Sequence, residues 1–168
     1  MWNLQHKIEK TNCYLKNSSR ITFILVITAS LFLTAVLFNL AYSFVKDLDI
    51  IWFDFPDWKE GKILFFIFAV IVAPVFETWF CQYLPYFLLN KVKYLKERSY
   101  LILLISALFF GLNHFYSLFY IIYGILMGVV LMYGYMIKIK SDKKTFVLIA
   151  TCHSFLNLGV SILNVLWT

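Results

Sequence analysis

The chain has 168 residues, 62% hydrophobic and only 14% charged, with a formal net charge of +6. That composition excludes an ordinary soluble domain and a disordered chain, and it fits a polytopic membrane protein. The positive balance does not point to nucleic acid, because the basic residues fall in blocks between apolar runs.

Residues 1–20 carry Lys7, Lys10, Lys16 and Arg20 and read as a basic cytoplasmic tail. Trp2, Leu4 and Ile8 are spaced for a short interfacial helix, and a frayed tail is the competing reading. The apolar run 21–45 follows. It is longer than the roughly 7 to 15 residues of a signal-peptide core and lacks a convincing cleavage site, so it reads as a retained anchor. Between this run and the next, "KDLDIIWFDFPDWKEGK" sets Asp47, Asp49, Asp54, Asp57 and Glu60 against three lysines. The second apolar run, 63–89, ends at Lys91, Lys93, Lys96 and Arg98. The third, 99–137, is too long for one crossing and reads as a hairpin of two helices turning near residues 113–117. Lys138, Lys140, Lys143 and Lys144 follow it, and 145–167 is the last apolar run.

A crossing needs about 20 apolar residues of helix, so the expected fold is all-α with about five transmembrane helices in one helical transmembrane domain, residues 21–168. Basic flanks stay cytoplasmic, which puts the N-terminus inside and the C-terminus outside. Trp52, Trp58 and Trp167 stand where interfacial anchors would. The implied location is the plasma (cell inner) membrane, with the lipid bilayer as partner and no nucleic acid. Cys13, Cys81 and Cys152 are odd in number and lack motif spacing, so neither a disulfide framework nor a zinc knuckle is implied.

With the flanks assigned, the acid left inside a span is Glu77, near the middle of the second run in "APVFETWFCQYL". His114 and His153 are also inside. A charge at mid-bilayer costs about 2.5 to 3.5 kcal/mol even on lenient insertion scales, so such residues face a partner or a wet cavity. Three of them on three spans at similar depth point to one shared site. His153 and Asn157 are four apart and share a helix face, an arrangement suited to holding an oxyanion. Glu77 and Cys81, and likewise Thr78 and Gln82, share faces. Pro74 lacks a backbone donor and should free carbonyls just before Glu77. Each histidine taken singly also reads as a packing residue, and Glu77 as a neutral structural acid. "GILMG", 124–128, reads as close helix packing.

Three of these stretches, "APVFETWFCQ", "FGLNH" and "HSFLN", resemble in order and spacing the motifs of the CAAX-protease and bacteriocin-processing (Abi) family of intramembrane proteases. The resemblance covers about residues 63–160, the family's catalytic core. It implies that Glu77 is the base that activates water, that His114 helps hold this water, and that His153 and Asn157 stabilise the oxyanion. Thr78 stands where the pattern has a second glutamate and Gln82 where it has an arginine, as possible support for the first motif. The implied function is an intramembrane endopeptidase acting on a peptide or membrane-protein substrate, without a cofactor.

Other readings stay open. Glu77, His114 and His153 are also a reasonable donor set for zinc or iron. The departures at Thr78 and Gln82 admit a catalytically inactive member acting as a bacteriocin-immunity or membrane-helix-binding protein. A proton-coupled transporter lacks an inverted repeat. A nucleophilic Cys81 or Cys152 lacks a neighbouring lysine or arginine.

Overall fold

The computed structural model describes residues 2–49 and 62–167. The anchors foreseen at Trp52 and Trp58 and the acids Asp54, Asp57 and Glu60 lie outside these residues, as does the Trp167 side chain. The described chain is all-α. Helix α1 spans Trp2–Asn17 and α2 spans Arg20–Ser43. Helix α3, residues 62–89, is continuous but irregular. A short α4 (Lys93–Glu97) leads to α5 (Ser99–Leu112), α6 (Leu118–Lys138) and α7 (Thr145–Trp167).

Four stretches are long and apolar enough to cross a membrane: Arg20–Ser43, Phe68–Leu89, Leu118–Lys138 and Thr145–Leu163. The hairpin turn falls at residues 113–117, where the third apolar run was expected to fold back. Its first arm, α5, has 14 residues. At 1.5 Å per residue that is about 21 Å, short of a hydrocarbon core of about 30 Å. Among the described residues the bundle therefore has four helices of membrane length and one shorter apolar helix, against a sequence expectation of about five crossings.

The N-terminal segment is a helix where a frayed tail was the competing expectation. Leu15 is buried, Asn12 bonds the Tyr133 hydroxyl, and the buried Lys138 ammonium donates to the carbonyls of Lys16 (3.2 Å) and Ser18 (2.7 Å). A cation satisfies the open carbonyls at a helix C-terminus, so Lys138 closes α1 and fixes the α1–α2 corner to α6. Arg20 reaches the loop between α6 and α7 through Asp142 at 2.7 Å, gathering basic blocks at one end of the bundle. Asp142 accepts from the Arg20 guanidinium and from Lys144 N–H, and its carboxyl is held down to about 2.

At the other end, Asp49 accepts from Phe119 N–H and from the Tyr42 hydroxyl, both at 3.2 Å. Ser117 accepts from Tyr120 N–H, completing the cap of α6. The bundle thus has a basic end and an end closed by Asp49. Its core packs Phe23, Ile27 and Leu31 of α2 against Leu131, Met132 and Tyr135 of α6 and Ile149, Cys152 and Leu156 of α7. Leu25, Leu33, Leu37, Phe76 and Leu108 point outward, as lipid-facing side chains do.

Close approach of α5 and α6 comes from glycine, as foreseen at 124–128. A Cβ on Gly128 would stand 2.9 Å from Ala107 Cα, and one on Gly124 would stand 2.9 Å from Gly111 Cα. Only small residues let two backbones meet at that range.

Candidate active site

The irregularity of α3 has a sequence cause. Five-residue π turns occupy Phe68–Val72 and Trp79–Tyr83. The last N–H of each, on Ala73 and Leu84, bonds back five residues to Phe68 and Trp79. The next residue is in both cases a proline, Pro74 or Pro85. Proline has no N–H and its ring crowds the carbonyl four residues back, so the wider turn relieves the clash and leaves a carbonyl without its helical donor. The short α-helical piece Ala73–Thr78 lies between these turns and carries Glu77.

One carbonyl in each turn accepts from another helix. Asn157 Nδ2 on α7 donates to Ala69 O at 2.8 Å, and the buried Ser106 hydroxyl on α5 donates to Cys81 O. The carbonyls that Pro74 was expected to open toward a cavity therefore include one that is already held. Asn157, predicted to point with His153 at one spot, spends one amide hydrogen on this bond and keeps a second. Ser106 had no place among the predicted site residues. Its signal was a lone hydroxyl in the apolar run of α5 and a proline on the neighbouring helix.

Glu77, His114 and His153 come together. Glu77 Oε2 lies 3.5 Å from His153 Nε2 and 4.0 Å from His114 Nε2. His153 is on α7, and His114 is in the turn that follows α5. The Glu77 side chain is 29% exposed, while Oε2, the oxygen nearest both imidazoles, is buried.

His114 Nδ1 lies 2.7 Å from Phe110 O. A carbonyl only accepts, so this bond puts the proton on Nδ1 and leaves Nε2 as an acceptor facing Glu77. The buried Phe110 ring packs against both imidazoles, with centroids 4.7 Å from His114 and 5.6 Å from His153. One aromatic side chain thereby fixes both rings. The Phe110–His114 spacing was visible in "FGLNH"; the reach of Phe110 to α7 was not.

Thr78 and Gln82 share a face as expected and are fully buried. Thr78 Oγ1 and both Gln82 amide atoms have no hydrogen-bond partner among the described residues. Cys81 and Cys152 are buried free thiols, and Cys81 Sγ lies 3.8 Å from Asn113 Nδ2. Among the described residues no group of three or more His, Cys, Asp or Glu is arranged to hold a metal ion.

The arrangement is a carboxylate and an imidazole nitrogen, both accepting, beside a second imidazole, from three separate segments of an apolar bundle, with the Asn157 amide one turn along α7 from His153. That is a set for taking protons from water and placing donors on a polarised carbonyl.

No curated protein and no solved structure matches the chain significantly. A family model described as type II CAAX prenyl endopeptidase Rce1-like matches residues 59–159, more than half of the chain. That range takes in Glu77, His114, His153 and Asn157 and corresponds to the 63–160 core delimited by the motif resemblance. With a bundle of membrane-length helices behind it, the chain belongs to the type II CAAX prenyl endopeptidase Rce1-like family of membrane proteases.

Proposed function

We propose that the protein is an intramembrane endopeptidase that hydrolyses a peptide bond in a membrane-associated protein or peptide, with Glu77 as the base that activates water. The observation that carries this reading is the approach of Glu77 Oε2 to the Nε2 atoms of both His153 and His114, at 3.5 and 4.0 Å.

Two acceptors 4.0 Å apart suit one water molecule. A water oxygen about 2.8 Å from each subtends an angle of about 90° between them, close to the angle at which water presents its two hydrogens. One hydrogen goes to Glu77 Oε2 and the other to His114 Nε2, and the oxygen lone pair is left to face the substrate. In the attack, the water oxygen bonds the carbonyl carbon and its proton passes to Glu77. The C=O electron pair moves onto oxygen, where His153 Nε2–H and the second amide hydrogen of Asn157 stabilise it. On collapse the C–N bond breaks, Glu77 returns the proton to the leaving amine, and the new carboxyl product departs. No metal enters any step. Zinc or iron would fit only if chelators abolished turnover.

The family's name makes a prenylated CAAX peptide the first substrate to try. The basic end of the bundle, with Arg20 and the loop around Asp142, is assigned to the cytoplasm, and the membrane to the cell's inner (plasma) membrane. The test compares wild type with Glu77→Gln and His114→Ala for cleavage of a farnesylated CAAX peptide and of a membrane extract mapped by new N-termini. Cuts that vanish in both variants support the proposal; cuts that persist in both purified variants overturn it.

A second reading is favoured by Thr78 and Gln82, buried neutral residues at the positions where the motif carries a glutamate and an arginine. In that reading the chain binds a peptide or helix, as an immunity protein would, without cutting it. Cells that keep full function with Glu77→Gln would decide for it.

A further inference from the structure

We infer that Ser106 and Asn157 are positioning residues that clamp the two proline-made turns of α3 and so fix where Glu77 stands between the two histidines. The inference rests on the proposed role of Glu77, and its structural half can be tested without any substrate.

The two turns are built alike. A π turn ends at Val72 and at Tyr83, and two residues later comes Pro74 or Pro85. In the five-residue register of the first turn, the donor owed to Ala69 O would be the nitrogen of Pro74. Cys81 O lies four residues before Pro85, so it stands in the four-residue register that α3 resumes after Leu84, where the proline nitrogen would have been its donor. Neither proline can supply it. Inside a bilayer water is not at hand to replace a missing donor, so an orphaned carbonyl weighs heavily there. Asn157 supplies the first at 2.8 Å and Ser106 the second.

The clamps tie Glu77 to the two elements it must meet. Asn157 is on α7, four residues from His153. Ser106 is on α5, eight residues before His114 and four before Phe110, the ring that packs on both imidazoles. Glu77 lies between the clamped carbonyls, eight residues after Ala69 and four before Cys81. Releasing the Ser106 clamp lets the Glu77 turn slide or rotate against His114 while leaving every reacting side chain in place; Asn157→Ala also removes the amide proposed for the oxyanion, so that clamp is read from stability alone. A misplacement of about 1 Å is enough to cost two orders of magnitude in rate.

Two double-mutant cycles test this by thermal unfolding in detergent: Ser106→Ala with Pro85→Ala, and Asn157→Ala with Pro74→Ala. Each proline replacement restores an N–H, so the freed carbonyl regains a partner within its own helix. Ser106→Ala and Asn157→Ala are expected to lower the melting temperature by several degrees, and at least half of that loss is expected to vanish when the matching proline is also replaced. Ser106→Thr, which keeps the hydroxyl, is expected to retain wild-type stability and cleavage. Ser106→Ala is expected to lower kcat with KM little changed. Equal penalties with and without the prolines would overturn the clamps, as would wild-type kcat in Ser106→Ala. Cleavage by Glu77→Gln would overturn the proteolytic reading alone, leaving the stability cycles to stand or fall separately.

Discussion

Gly124→Ala is a small change with a large expected effect. The added Cβ would stand 2.9 Å from Gly111 Cα, 3.3 Å from His114 Nδ1 and 3.4 Å from His114 Cβ. Carbon atoms rest at about 3.5 to 4.0 Å, so α5 and α6 must part locally by about 0.6 to 1.1 Å. The nearest obstacle is backbone and cannot rotate away. Overpacking of this kind costs about 1 to 3 kcal/mol, and at this chain length each kcal/mol lowers the melting temperature by about 2 to 4 °C.

His114 closes α5 and moves with it. Its Nε2 stands 4.0 Å from Glu77 Oε2, and a shift of about 1 Å takes it off the position from which the two hold one water against the substrate. The expected loss of turnover is about 100-fold. Gly134→Ala is the control. The nearest atoms its Cβ would meet belong to side chains, Ile27 Cδ1 at 3.1 Å, Ile149 Cδ1 at 3.2 Å and Ile27 Cγ1 at 3.4 Å, which can give by a few tenths of an ångström, so activity is expected to stay near wild type. The assay is kcat on a cleaved peptide together with a melting curve for each variant. A folded Gly124→Ala enzyme with wild-type turnover, or equal damage from Gly134→Ala, would refute the link between hairpin packing and the site.

Three further outcomes are expected. Lys138→Met removes the donor to Ser18 O, whereas Lys16 O keeps Ser141 Oγ at 2.8 Å; one orphaned carbonyl and one lost charged bond amount to about 2 kcal/mol, visible as a lower melting temperature and as faster proteolysis within residues 2–17. Asp142 has its carboxyl lowered to about 2 by Arg20. Its contribution is therefore complete above its ordinary pKa of about 3.8 and is lost as pH falls through about 2, so Asp142→Asn should destabilise equally at pH 5 and pH 8, less in high salt, and progressively less as pH falls toward and below 2. Turnover should survive metal chelators; loss of activity that returns with added zinc would move Glu77, His114 and His153 into the role of ligands.

The sequence shows the helices and the basic and acidic ends because both follow from bulk composition: apolar runs of membrane length and blocks of charge between them. It also shows Glu77, His114 and His153, since intramembrane titratable residues are costly enough to be noticed. The length of α5 was less visible, because the apolar run 99–137 does not say where it folds back or how unequal its arms are. The helical state of residues 2–17 depends on Lys138, more than a hundred positions away, and no local pattern carries that. Pro74 announced a freed carbonyl, but its partner Asn157 is on another helix. Ser106 was invisible for the same reason: a serine in an apolar helix gains meaning only once Cys81 O is set opposite it by Pro85.

The most direct measurement is single-turnover cleavage of one identified peptide by purified protein in lipid vesicles, comparing wild type with Glu77→Gln. Glutamine keeps the shape of the side chain but cannot take a proton from water. The expected result is a fall in the cleavage rate of about 10² to 10⁴-fold with substrate binding retained. Cleavage at the wild-type rate by a folded Glu77→Gln protein would contradict it.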